Sequence, residues 1–199
     1  MADPDPVRIL REEILADDYH TLKKISYEQR RRDGASQQLV REVYDCASGA
    51  SVLPYDRAHR SVLLVRQFRI GARLNGHDGF LLEVPAGMLD GADPAARVRC
   101  EALEETGYAI EALRPALSVF ASPGSTTERN HLFVAEYRHG SAREAGGGKP
   151  AEGEDIEVVE LDFDDALALA DNGGILDAKT LLLLAYLERK VLGRHGEAS

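Results

Sequence analysis

The first fifty residues contain three runs in which apolar and polar positions alternate or β-forming residues are concentrated, and each run predicts a strand. They are VRILREEIL, HTLKKISYEQ and QLVREVYDC, a pattern typical of β-strands. Asp33 and Gly34 separate the last two runs, and this pair favours a hairpin turn. The N-terminal region is therefore predicted to be a β-meander.

Strand signals continue through the middle of the chain, and helical spacing begins only after Asp93. The next apolar runs are ASVLPYD, SVLLVRQFRI and GFLLEVPAGML, separated by turn-forming segments. Asp93 is a helix N-cap residue type, Pro94 suits the first helical position and Gly107 suits a C-terminal end. These signals predict a helix from 94 to 106.

The C-terminal third combines strands, helices and one polar loop. LSVFAS, HLFVAEYR and IEVVELDF predict strands, whereas DDALALADN and DAKTLLLLAYLERKVL predict helices. Residues 140–155 are polar and rich in glycine, and a loop of this length in a compact domain is usually functional or disordered. Periodicity alone predicts the α/β or α+β class.

The composition narrows the possible partners. The chain has 199 residues, 44% of them hydrophobic, so it can form a core of its own. Its 34 acidic and 24 basic residues leave a net charge of -10, with the basic residues scattered, so no nucleic-acid partner is expected. Without a signal-peptide core or an apolar run long enough to span a bilayer, we expect a cytoplasmic protein with no membrane partner.

Glu101, Glu104 and Glu105 lie within an arc of roughly 100° on the predicted helix. They occupy its last turns, where the helix dipole disfavours negative charge. On an exposed face with Arg97 one turn earlier, the repulsion costs only about 0.2–0.5 kcal/mol per pair and needs no function. Alternatively, the carboxylates form a site for a hard cation, because Mg²⁺ prefers carboxylate oxygens and can bridge to phosphates.

The wider segment EVPAGMLDGADPAARVRCEALEETGY resembles the Nudix box, the loop–helix signature of the Nudix hydrolases. The family pattern is Gly, five residues, Glu, seven residues, then R-E-U-x-E-E-x-G-U, where U is a bulky aliphatic residue. Here Gly87 begins the box and the E-x-x-E-E-x-G half is intact. However, Asp93 replaces the first Glu, the following spacer is one residue shorter and Cys100 occupies the Arg position. Since that Arg orients the glutamates in the family, we expect Arg97 or Arg99 to take its role.

The resemblance extends from about Ile14 to Leu192 and is strongest to the subgroup that hydrolyses nucleoside diphosphate sugars. Shared stretches, in order along the chain, include REVYD, RQFR, AGMLD, EETGY, AGGG, EDIEV and AKTLLLL. This resemblance implies a mixed β-sheet sandwiched between helices and preceded by the N-terminal β-meander. It also implies a homodimer, with residues 1–50 as a dimerisation region that exchanges with the partner and 51–199 as the catalytic domain.

The implied activity is Mg²⁺-dependent hydrolysis of a pyrophosphate bond, with Mn²⁺ as a second usable ion. The expected substrate is GDP-mannose, which would give GMP and mannose 1-phosphate. EVPAG and the position of Pro123 also resemble the ADP-ribose pyrophosphatases, whose products would be AMP and ribose 5-phosphate. A nucleotide-binding regulator without hydrolysis is the alternative of another class. Cys100 favours that alternative, and the three glutamates argue against it.

The resemblance also implies roles for individual residues. The metal ligands would be the Ala86 carbonyl, Glu101, Glu105 and Glu154. Glu154 would accept a proton from the attacking water, with Glu105 as the second choice for this base and Glu104 also in the catalytic set. The loop at 140–155 would be a mobile arm that brings Glu154 into the site.

Further positions are expected around the substrate, and they are Tyr19, Val40, Arg41, Glu42, Arg69, Ala86, Gly87, Met88, Glu128 and Lys179. Arg69 and Arg41 would hold the nucleotide phosphate or base, and Val40 would offer only its backbone. The alternative for Arg41, Arg69 and Lys179 is surface salt bridging. The alternative for Tyr19 is hydrophobic packing.

Overall fold

The structure is a computed structural model that describes residues 6–141 and 143–193. The chain divides into two compact units. The N-terminal unit contains the residues up to Ser48 together with Phe120–Arg129, and the second unit contains Gly49–Val119 and the residues from Asn130 onward. Phe120–Arg129 lies within the residues predicted as the catalytic domain, and its contacts group it with the N-terminal strands.

The N-terminal unit is a three-stranded antiparallel sheet in the order β1-β2-β3. Its strands are β1 (Val7–Asp17), β2 (Thr21–Arg30) and β3 (Ser36–Asp45). Between β2 and β3, Gly34 has a φ of 86° and Asp33 Oδ1 accepts the amide of Ala35 at 3.0 Å, as a tight turn requires. The predicted β-meander is confirmed.

Residues Phe120–Arg129 attach to the end of β3. The amide of Tyr44 donates to the carbonyl of Ser125 at 2.8 Å, and the Thr127 hydroxyl donates to Asp45 at 2.9 Å. The sheet itself leaves several apolar side chains exposed, including Ile9 at 53% and Ile14 at 61%. Among the described residues of their own unit, these side chains are left largely uncovered.

The second unit is built on a seven-stranded mixed sheet within the described residues. The order is β10-β5-β4-β9-β8, with β6 paired to β5 and β7 paired to β4. β4 runs parallel to β9 and antiparallel to β5 and β7. The strands are β4 (Gly49–Asp56), β5 (Ser61–Phe68), β6 (Phe80–Glu83), β7 (Ala86–Met88), β8 (Glu111–Phe120), β9 (Arg129–Glu136) and β10 (Glu157–Asp162).

Helices cover both faces of this sheet. They are α1 (Ile70–Leu74), α2 (Pro94–Glu101), α3 (Phe163–Asn172) and α4 (Ala178–Leu187), and α2 and α4 continue into π-helical turns at Ala102–Thr106 and Glu188–Leu192. Leu63 packs with Val98 of α2, whereas its neighbour Leu64 packs with Phe163 of α3 and Leu183 of α4. Since successive strand residues point to opposite faces, the sheet is sandwiched between helices, as expected.

The segment GFLLEVPAGML differs from the expectation of one strand because it is divided into β6 and β7. Pro85 has no amide to donate to a sheet. The amide of Val84 donates to the Thr180 hydroxyl at 2.8 Å, outside the sheet. The chain therefore leaves β5 and crosses to β4 at this point. In the part of the chain that the structure describes, none of the helices is both long and apolar enough to cross a membrane.

Candidate functional site

The helix that carries the three glutamates begins and ends as its sequence predicts. Asp93 Oδ2 accepts the amide of Ala96 at 2.9 Å, and Gly107 ends the helix with a φ of 76°. Its last turn is a π-helix, a widened turn often found at functional sites. Glu101 and Glu105 are 4% and 1% exposed. The interpretation of an exposed acidic face is therefore wrong for these two carboxylates.

β7 lies directly against the two buried glutamates. A Cβ atom at Gly87 would lie 2.9 Å from Glu101 Cγ and still closer to its carboxylate, so only glycine leaves room for this side chain. A hydrogen bond from the backbone of Ala86 reaches Glu105. The turn before α2 therefore brings Ala86, Gly87, Glu101 and Glu105 together.

Arg97 forms an ion pair with Glu101, one helical turn away. Arg99 instead donates to the carbonyl of Ile110 at 3.0 Å. Of the two arginines expected to compensate for Cys100, Arg97 therefore contacts a glutamate of the box. Burial raises the pKa of Glu101, Arg97 opposes this effect, and the charges of Glu104 and Glu154 add to it.

The glycine-rich loop docks on the C-terminal end of this helix through its backbone. The amide of Gly147 donates to the carbonyl of Glu105 at 2.8 Å, and that of Gly148 donates to the carbonyl of Glu104 at 3.2 Å. These bonds satisfy carbonyls that a helix end leaves without partners. In addition, Lys149 Nζ lies 2.8 Å from Glu104 Oε2. The loop expected as a mobile arm is held against the helix in this structure.

Docking of the loop brings Glu154 close to the buried glutamates. Glu154 Oε2 accepts the amide of Lys149 at 2.7 Å, and the side chain is half-buried. Its negative charge contributes to the raised pKa of both Glu101 and Glu105. The loop therefore adds a third carboxylate to the neighbourhood of the helix.

Glu105 is the most strongly perturbed carboxylate of this group. Burial, followed by the charges of Glu101 and Glu154, raises its pKa to about 9, although Arg69 and the backbone of Ala86 act in the opposite direction. Among the described residues, Glu105 Oε2 is buried without a hydrogen-bond partner. A buried carboxylate oxygen without a donor is expensive unless a cation or a proton compensates it.

These observations agree with the donor chemistry of a hard divalent cation, which takes carboxylate and carbonyl oxygens. The side chains are not arranged as a complete metal centre, however. Within residues 6–141 and 143–193, no three His, Cys, Asp or Glu side chains are grouped closely enough to hold a metal ion. The structure therefore provides carboxylates that fit such an ion without showing the geometry of its coordination.

Arg69 and Lys179 are both paired with carboxylates. Arg69 makes a bidentate contact with Glu83, with Nε 3.0 Å from Oε1 and Nη2 2.6 Å from Oε2. Lys179 Nζ donates to Asp177 Oδ1 at 2.6 Å. Glu83 and Asp177 were not among the residues expected from the sequence. The available signal was an acidic residue, Glu83, within the apolar run that precedes the box.

The remaining expected substrate residues are divided between the two units. Met88, in β7, is half-buried and lies opposite Gly49 of β4. Tyr19 is 73% exposed and its ring contacts His20, while Arg41 Nη1 donates to the carbonyl of Val40 at 2.8 Å. Five of these residues belong to the N-terminal unit, namely Tyr19, Val40, Arg41, Glu42 and Glu128.

The NUDIX domain profile matches residues 47–183, and the profile of the GDP-mannose pyrophosphatase NudK N-terminal domain matches residues 6–44. The chain is 46% identical over 182 residues to the GDP-mannose pyrophosphatase of Salmonella arizonae, covering 91% of this chain and 94% of that protein. It is 45% identical over 183 residues to the GDP-mannose pyrophosphatase of Cronobacter sakazakii, covering 92% and 95%. The protein of the same name from Escherichia coli O139:H28 is 44% identical over 183 residues, with the same coverage.

Proposed function

The chain belongs to the NUDIX family, and on this premise we propose that it hydrolyses the pyrophosphate bond of GDP-mannose. The products would be GMP and mannose 1-phosphate. The observation that carries the proposal is the burial of Glu101 and Glu105 against Ala86 and Gly87. The relatives that match over most of the chain are named GDP-mannose pyrophosphatase, and the two family profiles match both parts of it.

Nudix hydrolases use a divalent metal ion, and we infer that the ion is Mg²⁺, with Mn²⁺ as a second usable ion. Glu101, Glu105, Glu154 and the Ala86 carbonyl would hold it. A bound divalent ion would neutralise charge on the phosphoryl oxygens and acidify a coordinated water. The positive charge of such an ion would compensate the Glu105 Oε2 atom, which has no hydrogen-bond partner among the described residues, and would offset the burial and the repulsion that raise the Glu105 pKa.

Glu154 would accept the proton of the attacking water. It lies on the loop and not on the helix, so its carboxylate can approach the site from a separate direction. Glu105 is the second choice because it is buried on the helix and is itself one of the residues that would hold the ion. As the water oxygen bonds to phosphorus, the bridging P–O bond breaks and the leaving phosphate carries the electron pair.

The other carboxylates and cations would position these groups. Arg97 would keep Glu101 in place, which is the role expected of the missing Arg at Cys100. Glu104, paired with Lys149, would hold the loop that carries Glu154. Arg69 and Lys179 would bind the negatively charged diphosphate, with Gly87 and Met88 adjoining it.

The N-terminal unit would complete the substrate site in a homodimer. We infer that its exposed apolar side chains, such as Ile9 and Ile14, pack on a second copy of the chain. Tyr19, Val40, Arg41, Glu42 and Glu128 would then contact the substrate held by the partner. Light scattering at micromolar protein should give twice the chain mass, and a monomeric mass would contradict this inference.

The activity is tested by chromatography of products after incubation with GDP-mannose or ADP-ribose and Mg²⁺. We expect GMP from GDP-mannose with the wild-type protein, loss of this product with Glu105→Gln, and more product from GDP-mannose than from ADP-ribose. The matched control is Glu111→Gln, because Glu111 is an exposed carboxylate on β8 whose side chain is 70% accessible. Bound but unaltered nucleotide would instead indicate the regulator without hydrolysis.

A further inference from the structure

Beyond the proposed activity, we propose that Glu83, Asp177 and Thr180 are positioning residues that hold Arg69 and Lys179 for a diphosphate. This inference rests on the proposed function for the identity of the ligand. None of the three positioning residues is among the site residues expected from the sequence. All five residues lie in the second unit.

The first half of the arrangement is the contact between Glu83 and Arg69. The side chain of Glu83 is only 3% exposed, whereas that of Arg69 is 43% exposed. Glu83 therefore lies beneath the guanidinium and binds Nε and Nη2, while the accessible part of Arg69 remains open to an anion. A bidentate contact fixes the plane of a guanidinium as well as its position.

The charge on Arg69 is retained despite its surroundings. Burial lowers the pKa of Arg69, but the hydrogen bonds and charge of Glu83, with the charges of Glu105 and Asp177, outweigh burial and raise the pKa. The negative charge of Asp177, the carboxylate that binds Lys179, also favours the charged form of Arg69. The two cations therefore belong to one electrostatic environment.

The second half is the start of α4. Asp177 is the N-cap of this helix and is well buried, with 10% of its side chain exposed. Its Oδ1 accepts from Lys179 Nζ at 2.6 Å, and its Oδ2 accepts from the Thr180 amide at 2.9 Å. The cap that begins the helix thus also sets the position of the lysine ammonium.

Thr180 joins the two halves. It is fully buried, and its hydroxyl donates to Asp177 Oδ2 at 2.7 Å while accepting the amide of Val84 at 2.8 Å. Val84 follows Glu83 in the chain. The Thr180 hydroxyl therefore connects the end of β6, where Glu83 binds Arg69, to Asp177, the N-cap residue of α4 that binds Lys179.

Three variants test this arrangement by calorimetric binding of GDP-mannose in the presence of EDTA, so that no hydrolysis is required. Thr180→Val has nearly the same shape but lacks the hydroxyl, and we expect its Kd to rise about 10-fold. Thr180→Ser keeps the hydroxyl, and its Kd should stay near that of the wild type. Glu83→Gln should also weaken binding about 10-fold. If Glu83 acted only through its negative charge, Glu83→Gln would remove its repulsion of the anionic ligand and would bind GDP-mannose more tightly than the wild type.

A merely structural role for Thr180 predicts a different result. Partial unfolding would reduce the number of binding sites and the Tm but would leave the Kd of the folded fraction unchanged. Equal Kd values in Thr180→Val and the wild type, tighter binding by Glu83→Gln, or no binding by the wild type would each overturn the inference. If Thr180→Val does not fold, Glu83→Gln decides.

The outcome is separable from that of the proposed function. Binding with the expected order of affinities, but without release of GMP when Mg²⁺ is added, would refute hydrolysis and support the positioning role. Release of GMP by the wild type, with equal affinities for GDP-mannose among the variants, would support hydrolysis and refute the positioning role.

Discussion

Gly87→Ala should lower the activity of the protein by displacing one carboxylate while leaving the fold largely intact. The added Cβ would lie 2.9 Å from Glu101 Cγ, and nearer still to the carboxylate. Since carbon atoms pack at about 3.5 Å or more, the Glu101 side chain must move by at least about 0.5 Å. This displacement is as large as the tolerance of a catalytic constellation, which is about 0.5 Å.

The size of the effect follows from this displacement. A misplacement of about 1 Å can cost on the order of 100-fold in rate, so we expect kcat/KM to fall between about 10-fold and 100-fold. That range corresponds to about 1.4–2.7 kcal/mol of transition-state stabilisation. Overpacking costs about 1–3 kcal/mol of stability, and we expect the lower end because the displaced atoms are at the end of a side chain.

The assay combines kcat/KM for GDP-mannose and Mg²⁺ with thermal unfolding in the same buffer. The matched control is Gly71→Ala in α1, where a Cβ would meet no atom within 4 Å. The control should retain its kcat/KM and gain about 0.5–1 kcal/mol from the lower helical cost of alanine. Equal activity of Gly87→Ala and Gly71→Ala would refute the reasoning that Glu101 must occupy its observed position.

Three further predictions concern the loop, acid stability and the buried carboxylate. Gly146→Ala should release the glycine-rich loop, because the added Cβ would lie 2.8 Å from the Thr106 carbonyl carbon and the residue has a φ of 66°. Hydrogen exchange of the backbone amides in the loop should therefore become faster. Gly153→Ala, with a similar φ of 80° but no atom within 4 Å, is the control, and equal exchange in both variants would contradict the docking. Burial opposes ionisation of Asp56, but the amides of His139, His59 and Ala58 outweigh it and lower the Asp56 pKa from 3.8 to about 2. Above pH 4, ionised Asp56 should therefore contribute about 2 kcal/mol to the free energy of unfolding, and this contribution should be lost as the pH falls through about 2. If Asp56→Asn lowered the free energy of unfolding equally at pH 2 and pH 7, the result would argue against this role. The pKa of Glu105 is raised to about 9 in the native state, whereas in the unfolded chain it has its ordinary value of 4.5. Between these two pH values the native state keeps a proton that the unfolded chain has released, so the free energy of unfolding falls as the pH rises. In EDTA, Glu105→Gln should consequently raise the Tm more at pH 8 than at pH 5.5, and the same increase at both would refute this assignment.

Local signals were sufficient where a few neighbouring residues decide the conformation. Asp93, Pro94 and Gly107 correctly predict where the glutamate helix begins and ends, because capping and the left-handed C-cap depend on the backbone and on side chains within a turn. The turn at Asp33 and Gly34 is confirmed for the same reason. The π-helical last turn at Ala102–Thr106 was not predicted by these local signals.

Long-range contacts decided the rest of the candidate site. The sequence alone left the three glutamates as either an exposed face or a cation site, and burial against Gly87 excludes the first for Glu101 and Glu105. Likewise, no local pattern indicates that Gly147 and Gly148 donate to the end of the helix, because these residues lie far along the chain from it. Their amides could be assigned only after the fold placed them there.

The sequence by itself determined the class of fold and the family, because these depend on residue type, spacing and local conformation. It also supplied the carboxylates that we propose as ligands of a divalent cation. Only the tertiary structure decided which carboxylates are buried, that Arg97 rather than Arg99 contacts Glu101, and that Glu83 and Asp177 hold the expected phosphate-binding cations. Burial and charge pairing join residues distant in sequence, and their energies depend on the surroundings that folding creates.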